Sequence, residues 1–550
     1  SINSPLEIVE QIGDYTNRLG LPVVGGAVNF ETQDEYKVNY LVVGVAKHHE
    51  LLSTATVLPG MVIIQVSVAA RQSEIGQDDP YYENLLMTAT LQVIQKGKIV
   101  AAADMGSKGV VCAAIRLVCN TSAGIELDIT TDDAILTSRK NSLLIATEYR
   151  MAEQLLTMLI NSGLVAAKIG IVNETSTLRI VKNHKCEAEI PIRSLISGGV
   201  GNAIRVEKEH PAWLGENEKF DPLSIPEPTK LLTPISYNDA LLRLLESADI
   251  ASKEWINSQF DSQQGTVSAV PPDFDAAVLR IKGSSKAIVM SMYANDRYSK
   301  LDPRAGGKIA AAEAIRNCVC TGAKPVAVSA SIEPVSSSSV EFEEGVREVC
   351  SDFNIVNSFA TGTHSSVGAV GVMADINKMV TPYFKREGDS IFLMGETRDE
   401  IGVSEYLKII HGKEEGQTAV LNVKREYALQ DCFLGAVQKN LVESAHDCSV
   451  GGLAVALAEC CVLKHDVPMG ASIEYDCELR ADRLLFSETQ SRIIVSVKAE
   501  NIKEFTEHVI HYHVPLEEIG ITGGEALSVN NEINLDLLTI SDSYFNALRK

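Results

Sequence analysis

The sequence has no apolar run approaching the ~20 residues a helix needs to cross a bilayer, and no basic-then-apolar leader opens it. The chain therefore reads as soluble, with no membrane partner. It has no cation surplus either: 49 Lys and Arg stand against 72 Asp and Glu, a formal net charge of −23. Sequence-independent nucleic-acid binding needs clustered cations to release counterions from the phosphate backbone, so that class is excluded. A local cationic pocket for a phosphorylated small molecule is not. The 11 cysteines contain no CxxC pair and form no disulfide framework. Cys318 and Cys320 lie in CVC, and Cys460 and Cys461 are adjacent, all in apolar helix-like stretches. There cysteine behaves as a small buried hydrophobe, which points to a reducing cytoplasm. No Cys/His set has zinc spacing. His511-Tyr-His513 and His446-Asp-Cys448 come nearest, each weighed against a strand-face or core role.

What is present is ordinary for a globular chain of several domains: 550 residues, 45% apolar and 22% charged. Runs 39–46 (NYLVVGVA) and 61–69 (MVIIQVSVA) have the β-branched, apolar character of buried strands. Apolar positions across 82–97 fit a helix face, and 99–103 returns to an extended run. This alternation continues to about residue 195 and suggests α/β or α+β layers. Residues 196–235, rich in Gly and Pro with little periodicity, read as a linker.

Beyond the linker the layout repeats. Ala103-Asp104-Met-Gly-Ser-Lys-Gly109 is echoed by His446-Asp447-Cys-Ser-Val-Gly-Gly452, and Gly124-Ile-Glu-Leu-Asp128 by Gly470-Ala-Ser-Ile-Glu474. Leu41-Val-Val-Gly-Val45 has a counterpart in Ala369-Val-Gly-Val-Met373, and Gly60-Met-Val-Ile-Ile64 in Gly388-Asp-Ser-Ile-Phe392. The order is the same in both halves. A tandem duplication of a full globular unit accounts for it, since the period is far too long for a solenoid.

The segments DAAVLRIKG (275–283), LDPRAGGKIAAAEAIRNCVCTGAKPVAV (301–328), AHDCSVGGLAVALAE (445–459) and LFSETQSRIIVSV (485–497) resemble the synthetase part of the phosphoribosylformylglycinamidine synthase (formylglycinamide ribonucleotide amidotransferase) family. So do GDYTNRLGLPVVGGAVNF (13–30), DPYYENLLM (79–87) and AADMGSKGV (102–110). The resemblance implies an aminoimidazole-ribonucleotide-synthetase-like unit in tandem, each copy with an N-terminal and a C-terminal α/β domain, forming a pseudo-dimer. On that pattern the expected divisions are 1–52 (remainder of the first N-terminal-type domain), 53–195 (first C-terminal-type domain), 196–235 (linker), 236–380 and 381–550 (second N- and C-terminal-type domains). The implied activity is that of an ATP-dependent C–N ligase of purine biosynthesis. The γ-phosphate of ATP activates the formamide oxygen of formylglycinamide ribonucleotide, and ammonia from glutamine displaces phosphate. ATP and Mg2+ are the implied cofactors, small-molecule nucleotides the substrates. No glutaminase nucleophile elbow is evident, so a separate glutaminase subunit is the expected ammonia source; Cys112 and Cys448 lack a plausible base and read as buried thiols.

Carried over residue by residue, Asp104 matches the family's magnesium-binding Asp, against a purely local role as a helix cap. Asn295, Arg297, Tyr298 and Asp302 keep an NxRYxxLDP pattern, and Glu488-Thr-Gln490 an ESQ-like motif, both assigned to a quasi-symmetric nucleotide pocket. A helix over 308–320 starting just after Gly306-Gly307 presents free N–H groups for phosphate, or is an Ala-rich core helix behind a glycine turn. Gly25-Gly26 carries the same ambiguity. Other family positions differ. Ala330 stands where the family has an ATP-contacting Asp, Phe359 where it has a metal-binding Asn, and Ser138-Arg139-Lys140 where it has substrate-binding Glu-Ser-Gln; Gly76 or Gln77 lies near the family's Gln. No SHNHP segment with the family's catalytic His, and no GYxxTK segment, occurs in these residues, and Ser1 rather than Met leaves room for residues upstream. Three readings follow: the ligase, a catalytically degenerate nucleotide-binding or scaffold paralogue, and a kinase-like superfamily member.

Overall fold

The computed structural model describes residues 5–30, 37–68, 80–106, 109–128, 141–195, 220–261, 268–270, 274–333 and 337–549. The chain divides into two compact units, one of Asp14–Leu21 and Val42–Arg205, the other of Ser1–Gly13, Pro22–Leu41 and Val206–Lys550.

The smaller unit is built on a seven-stranded sheet. Its strands are β1 (Val62–Val68), β2 (Ala101–Asp104), β3 (Gly124–Asp128), β4 (Ser142–Thr147), β5 (Leu164–Asn173), β6 (Thr177–Lys182) and β7 (Lys185–Pro191), in spatial order β2-β4-β1-β5-β3-β6-β7. Central β1 pairs antiparallel with β4 and β5. Because side chains alternate between the faces of a strand, Ile63 packs with Val110, Ala113 and Leu117 of the helix Gly109–Val118. Val62, Ile64 and Val66 pack on the other side with Leu86 and Leu155, from the helices Pro80–Gln95 and Ala152–Asn161. This explains why the run is apolar throughout.

The larger unit contains two sheets. Strands β8 (Ala277–Arg280), β9 (Ala287–Tyr293), β10 (Lys324–Ile332), β11 (Val356–Thr361) and β12 (Ser366–Met373) form one, ordered β11-β10-β12-β9-β8. The helices Pro303–Cys320 and Ser337–Asp352 belong to its core. The other comprises β13 (Ser390–Met394), β14 (Ser444–Asp447), β15 (Ala471–Ile473), β16 (Ile493–Val497), β17 (Leu516–Thr522), β18 (Ala526–Val529) and β19 (Ile533–Asp536). Its order, β14-β16-β13-β17-β15-β18-β19, reproduces that of the first seven-stranded sheet strand for strand. Even the irregularity is repeated: the β1–β5 ladder shifts register between Ile63 and Ile64, and the β13–β17 ladder between Ile391 and Phe392. Each copy enters its first strand through a glycine in the left-handed region, Gly60 at φ +90° and Gly388 at φ +87°, where a Cβ would be strained. The duplication is thus written into the topology.

Three expectations need correction. Residues 39–46 form no regular strand; Asn39 instead donates to the His364 carbonyl and Ser366 Oγ, and Leu41 packs over Gly368. Tyr40, Val42 and Val45 are left exposed. The helix expected at 308–320 begins at Pro303. Asp302 is its N-cap, accepting from the Ala305 amide at 2.9 Å, and Pro303 supplies the fixed φ that favours the first helical position. Gly306 and Gly307 therefore lie inside the helix, with the Gly306 amide donating to the Asp302 carbonyl. Their lack of a Cβ permits close packing: one on Gly306 would stand 2.7 Å from Ser299 Cα, one on Gly307 2.2 Å from the Phe342 carbonyl oxygen. Finally, the described part of the expected linker is docked. Ile225 and Pro228 are buried, and Arg480 and Arg483 donate to the Ile225 carbonyl.

Candidate functional site

Two neighbouring cavities in the larger unit share Asp249 and Val450 as walls. The larger, about 450 Å³, is bounded by the segment 26–30, the helix Asp296–Leu301 and parts of 403–414. Four cations line it, Lys253, Arg297, Lys300 and Lys408, against Asp249, Asp296 and Glu414, with Val28, Phe30, Leu301 and Val403 giving it an apolar side. Such a chamber suits an anionic small molecule with an apolar portion.

The chain builds its wall from the end of β9. Asn295 caps the helix Asp296–Leu301, accepting from the Tyr298 amide at 3.1 Å. That turn directs Arg297 toward Glu405, 2.7 Å away, and the Tyr298 hydroxyl toward Glu488, to which it donates at 2.5 Å. The Arg297–Glu405 contact is one of charge rather than aligned hydrogen bonding: Arg297 Nη1 and both Glu405 oxygens are buried without a hydrogen-bond partner. Burial works against the Arg297 cation, but Glu488 and Glu405 raise its pKa further. Burial and Glu488 together push the Tyr298 hydroxyl well above the usual phenol range, so it remains a donor. Glu488 also accepts from the Glu405 and Gly451 amides at 2.8 and 2.9 Å. Asp249 accepts from the Phe30 amide at 2.9 Å and pairs with Lys408 at 2.9 Å. Burial alone would raise its pKa; the Phe30 amide and Lys408 hold it below the usual carboxylate range.

The smaller cavity, about 220 Å³, is lined by Asp275, His446, Asp447 and Glu459 among others. His446 is held between Asp275 (Nδ1–Oδ1 2.6 Å) and Glu459 (Nε2–Oε2 3.1 Å). Burial opposes its charge, but Asp275 and Glu459 outweigh that and raise the imidazole well above its ordinary value.

Of the residues singled out from the sequence, Asn295 and Arg297 line the larger cavity, while Tyr298, Glu488 and Gln490 brace the wall behind it. Asp302, Gly306 and Gly307 do not line it; they cap and pack a helix. The reading of Gly306-Gly307 as a phosphate cradle is corrected accordingly, because the Gly306 amide is spent within the helix. Gly26 does line the cavity. Asp104 belongs to the other unit, exposed at the end of β2, with its carboxylate over Gly106 and its carbonyl accepting from Arg116. Ser138-Arg139-Lys140, Gly76 and Gln77 fall outside the described residues. Ala330 and Phe359 pair across β10 and β11; Ala330 is buried, and the Arg347 guanidinium lies 4.2 Å from the Phe359 ring centre. The sequence reading missed Lys253, Lys408 and Asp249, which no local motif marks, and Lys300, which occupies an unspecified position of the NxRYxxLDP pattern.

Among the described residues, no three His, Cys, Asp or Glu side chains converge to hold a metal ion, around His446/Cys448 and His511/His513 included. Asp104 fits the role of a single protein ligand, since magnesium commonly takes one or two carboxylates and completes its shell with water and substrate phosphates. No helix among the described residues is long and apolar enough to cross a membrane.

The repeated sheet and its flanking domains define a doubled protein of the AIR synthase related class. The AIR synthase related C-terminal domain matches residues 44–183 and 386–529, and the corresponding N-terminal domain matches 5–46 and 273–376. The chain is 35% identical to the phosphoribosylformylglycinamidine synthase subunit PurL of Alkaliphilus metalliredigens, over 95% of this chain and 76% of that protein. It is 31% identical to the PurL subunit of Thermoanaerobacter pseudethanolicus, over 96% and 78%. In fold it matches T. maritima PurL complexed with ATP at TM-score 0.62 and 18% identity, covering 95% of this chain and 81% of the other. T. maritima PurL complexed with FGAR matches at 0.61 and 18%, covering 95% and 82%. The chain belongs to the phosphoribosylformylglycinamidine synthase PurL-subunit family.

Proposed function

We propose that the chain carries out the ATP-dependent conversion of formylglycinamide ribonucleotide to its amidine in purine biosynthesis. The observation that carries this reading is the collinear 35% identity to a PurL subunit over 95% of the chain. The formamide oxygen attacks the γ-phosphorus of ATP and ADP leaves. Ammonia then adds to the activated carbon, and inorganic phosphate departs with the former formamide oxygen. Asp104 would hold a magnesium ion, which when bound neutralises charge on the transferring phosphoryl group. The larger cavity is a quasi-symmetric nucleotide- or phosphate-binding pocket, apart from the Asp104 centre. Arg297, Lys300 and Lys408 supply its positive charge, Asn295 and Tyr298 shape it, and Glu488 and Gln490 brace it. Asp302, Gly306 and Gly307 serve by fixing the helices beneath. Ammonia comes from a separate glutaminase subunit, the setting is the cytoplasm, and the domain divisions are those expected from the sequence, except that the end of the linker around Ile225 packs against the second C-terminal-type domain.

A second reading is favoured by Ala330 and Phe359, paired apolar residues where the family pattern has ligands: a nucleotide-binding paralogue without turnover. Assaying ADP and amidine formation with ATP, formylglycinamide ribonucleotide and ammonium ions separates the two. The ligase reading expects product, lowered about 100-fold or more by Asp104→Asn. Nucleotide binding without product, in native and variant chains alike, overturns it.

A further inference from the structure

The residue equivalent to Asp104 in the second copy is Asp447, at the end of β14, and its surroundings are of another kind. Asp104 is exposed, whereas Asp447 is buried against the guanidinium of Arg316. Arg316, itself fully buried on the helix Pro303–Cys320, donates through Nε to Asp447 and through Nη1 to Glu426 on the helix Val423–Gln438 at 2.8 Å. Its Nη2 donates to Gln490 at 3.2 Å and lies 3.8 Å from Glu313. One cation thus joins two helices, a strand end and the segment that carries Glu488. Three buried carboxylate oxygens around it, on Glu313, Glu426 and Asp447, have no hydrogen-bond partner.

We infer that Arg316 is a built-in counter-cation: its guanidinium, rather than a bound metal ion, compensates the Asp447 centre, and it is a positioning residue that fixes Gln490 and the adjacent Glu488 wall. The charge balance supports this. Burial, and next the Asp447 charge, raise the Glu313 carboxyl well above the carboxylate range. Glu426 and Asp447 both accept directly from the one guanidinium, whereas Glu313 stands 3.8 Å from it. Burial raises the Asp447 pKa and Arg316 offsets that only in part, so the carboxyl stays above its ordinary range. The other titratable groups facing the centre are Asp275 and His446 beside Asp447, Glu488, and the thiols of Cys320 and Cys448, which burial keeps protonated. None of them can replace the lost cation: His446 is already committed to Asp275 and Glu459. The inference concerns charge within the fold and stands apart from the proposed reaction.

Melting temperatures of the full chain test it. Arg316→Met keeps most of the bulk and leaves Asp447 and Glu426 buried without a counter-charge. Its melting temperature should fall about 3–5 °C below native near pH 8. Near pH 5.5 at least half of the deficit should disappear, because uncompensated carboxyls with raised pKa values take up protons. Adding Asp447→Asn and Glu426→Gln to Arg316→Met should recover most of the loss at pH 8, and should restore folding if the single variant does not fold. The shift produced by millimolar magnesium chloride should be the same in native and Asp447→Asn chains. A deficit equal at both pH values, no recovery on neutralising the acids, or a magnesium shift lost in Asp447→Asn would each overturn the inference.

Discussion

The two seven-stranded sheets share a chain path and differ in how they treat the aspartate that ends their second strand. In the first copy Asp104 stands in the open beside a glycine turn. In the second, Asp447 is enclosed, tied to a buried arginine from the neighbouring five-stranded domain. Duplication repeated the scaffold, which is fixed by backbone pairing and alternate-face packing. It did not repeat the centre, which is fixed by a few side chains arriving from other elements. A doubled fold can thereby keep one aspartate available to a ligand and use the other as cement.

If the scaffolds are equivalent, equivalent cuts should hurt equally. Ile63 and Ile391 are fully buried at the same register shift. Ile63→Ala and Ile391→Ala should each cost about 2–5 kcal/mol by chemical denaturation; a several-fold disparity would show that the copies are not energetically alike. Next in size, Gly307→Ala tests a feature of the five-stranded domain, forcing apart the helices Pro303–Cys320 and Ser337–Asp352. We expect a loss of about 1–3 kcal/mol, against an unchanged stability if those helices separate freely. The His446 clamp belongs to the second copy and should be visible through pH. The imidazole pKa is raised on folding, so its stabilisation is complete below the unfolded value of about 6.5 and fades as pH rises through the folded value. The stability gap between native and His446→Asn chains should therefore be widest near pH 6 and close toward alkaline pH; a gap that widens with pH contradicts the clamp. Smallest of all, Asp104→Asn should change stability by less than about 0.5 kcal/mol, as for an exposed site, while Asp447→Asn has a measurable effect.

The duplication was legible because its markers are local: a glycine turn, a strand, and an Asp-containing loop before an alanine-rich helix. The wall residues Asn295, Arg297 and Tyr298 were legible for the same reason, forming one contiguous motif. Lys253 and Lys408 were not, because they come from separate segments and are ordinary surface-type lysines until the fold brings them together; Lys300 lies inside the motif, at a position its pattern leaves unspecified. Residues 39–46 have the composition of a strand but make side-chain contacts in place of a backbone ladder, a difference that composition does not encode. Glycines drew attention to a helix start at 308, although Asp302-Pro303 already held the stronger signal, a cap followed by a proline. The linker was read from its Gly and Pro content. The docking of Ile225 depends on Arg480 and Arg483, more than 250 residues away.

The central proposal is that one copy keeps its aspartate for magnesium while the other satisfies its own internally. Calorimetric titration of ATP, with and without magnesium, into native, Asp104→Asn and Asp447→Asn chains tests it most directly. The account predicts that the magnesium-dependent part of binding disappears in Asp104→Asn and survives in Asp447→Asn. The opposite pattern, loss in Asp447→Asn with Asp104→Asn behaving as native, would contradict it.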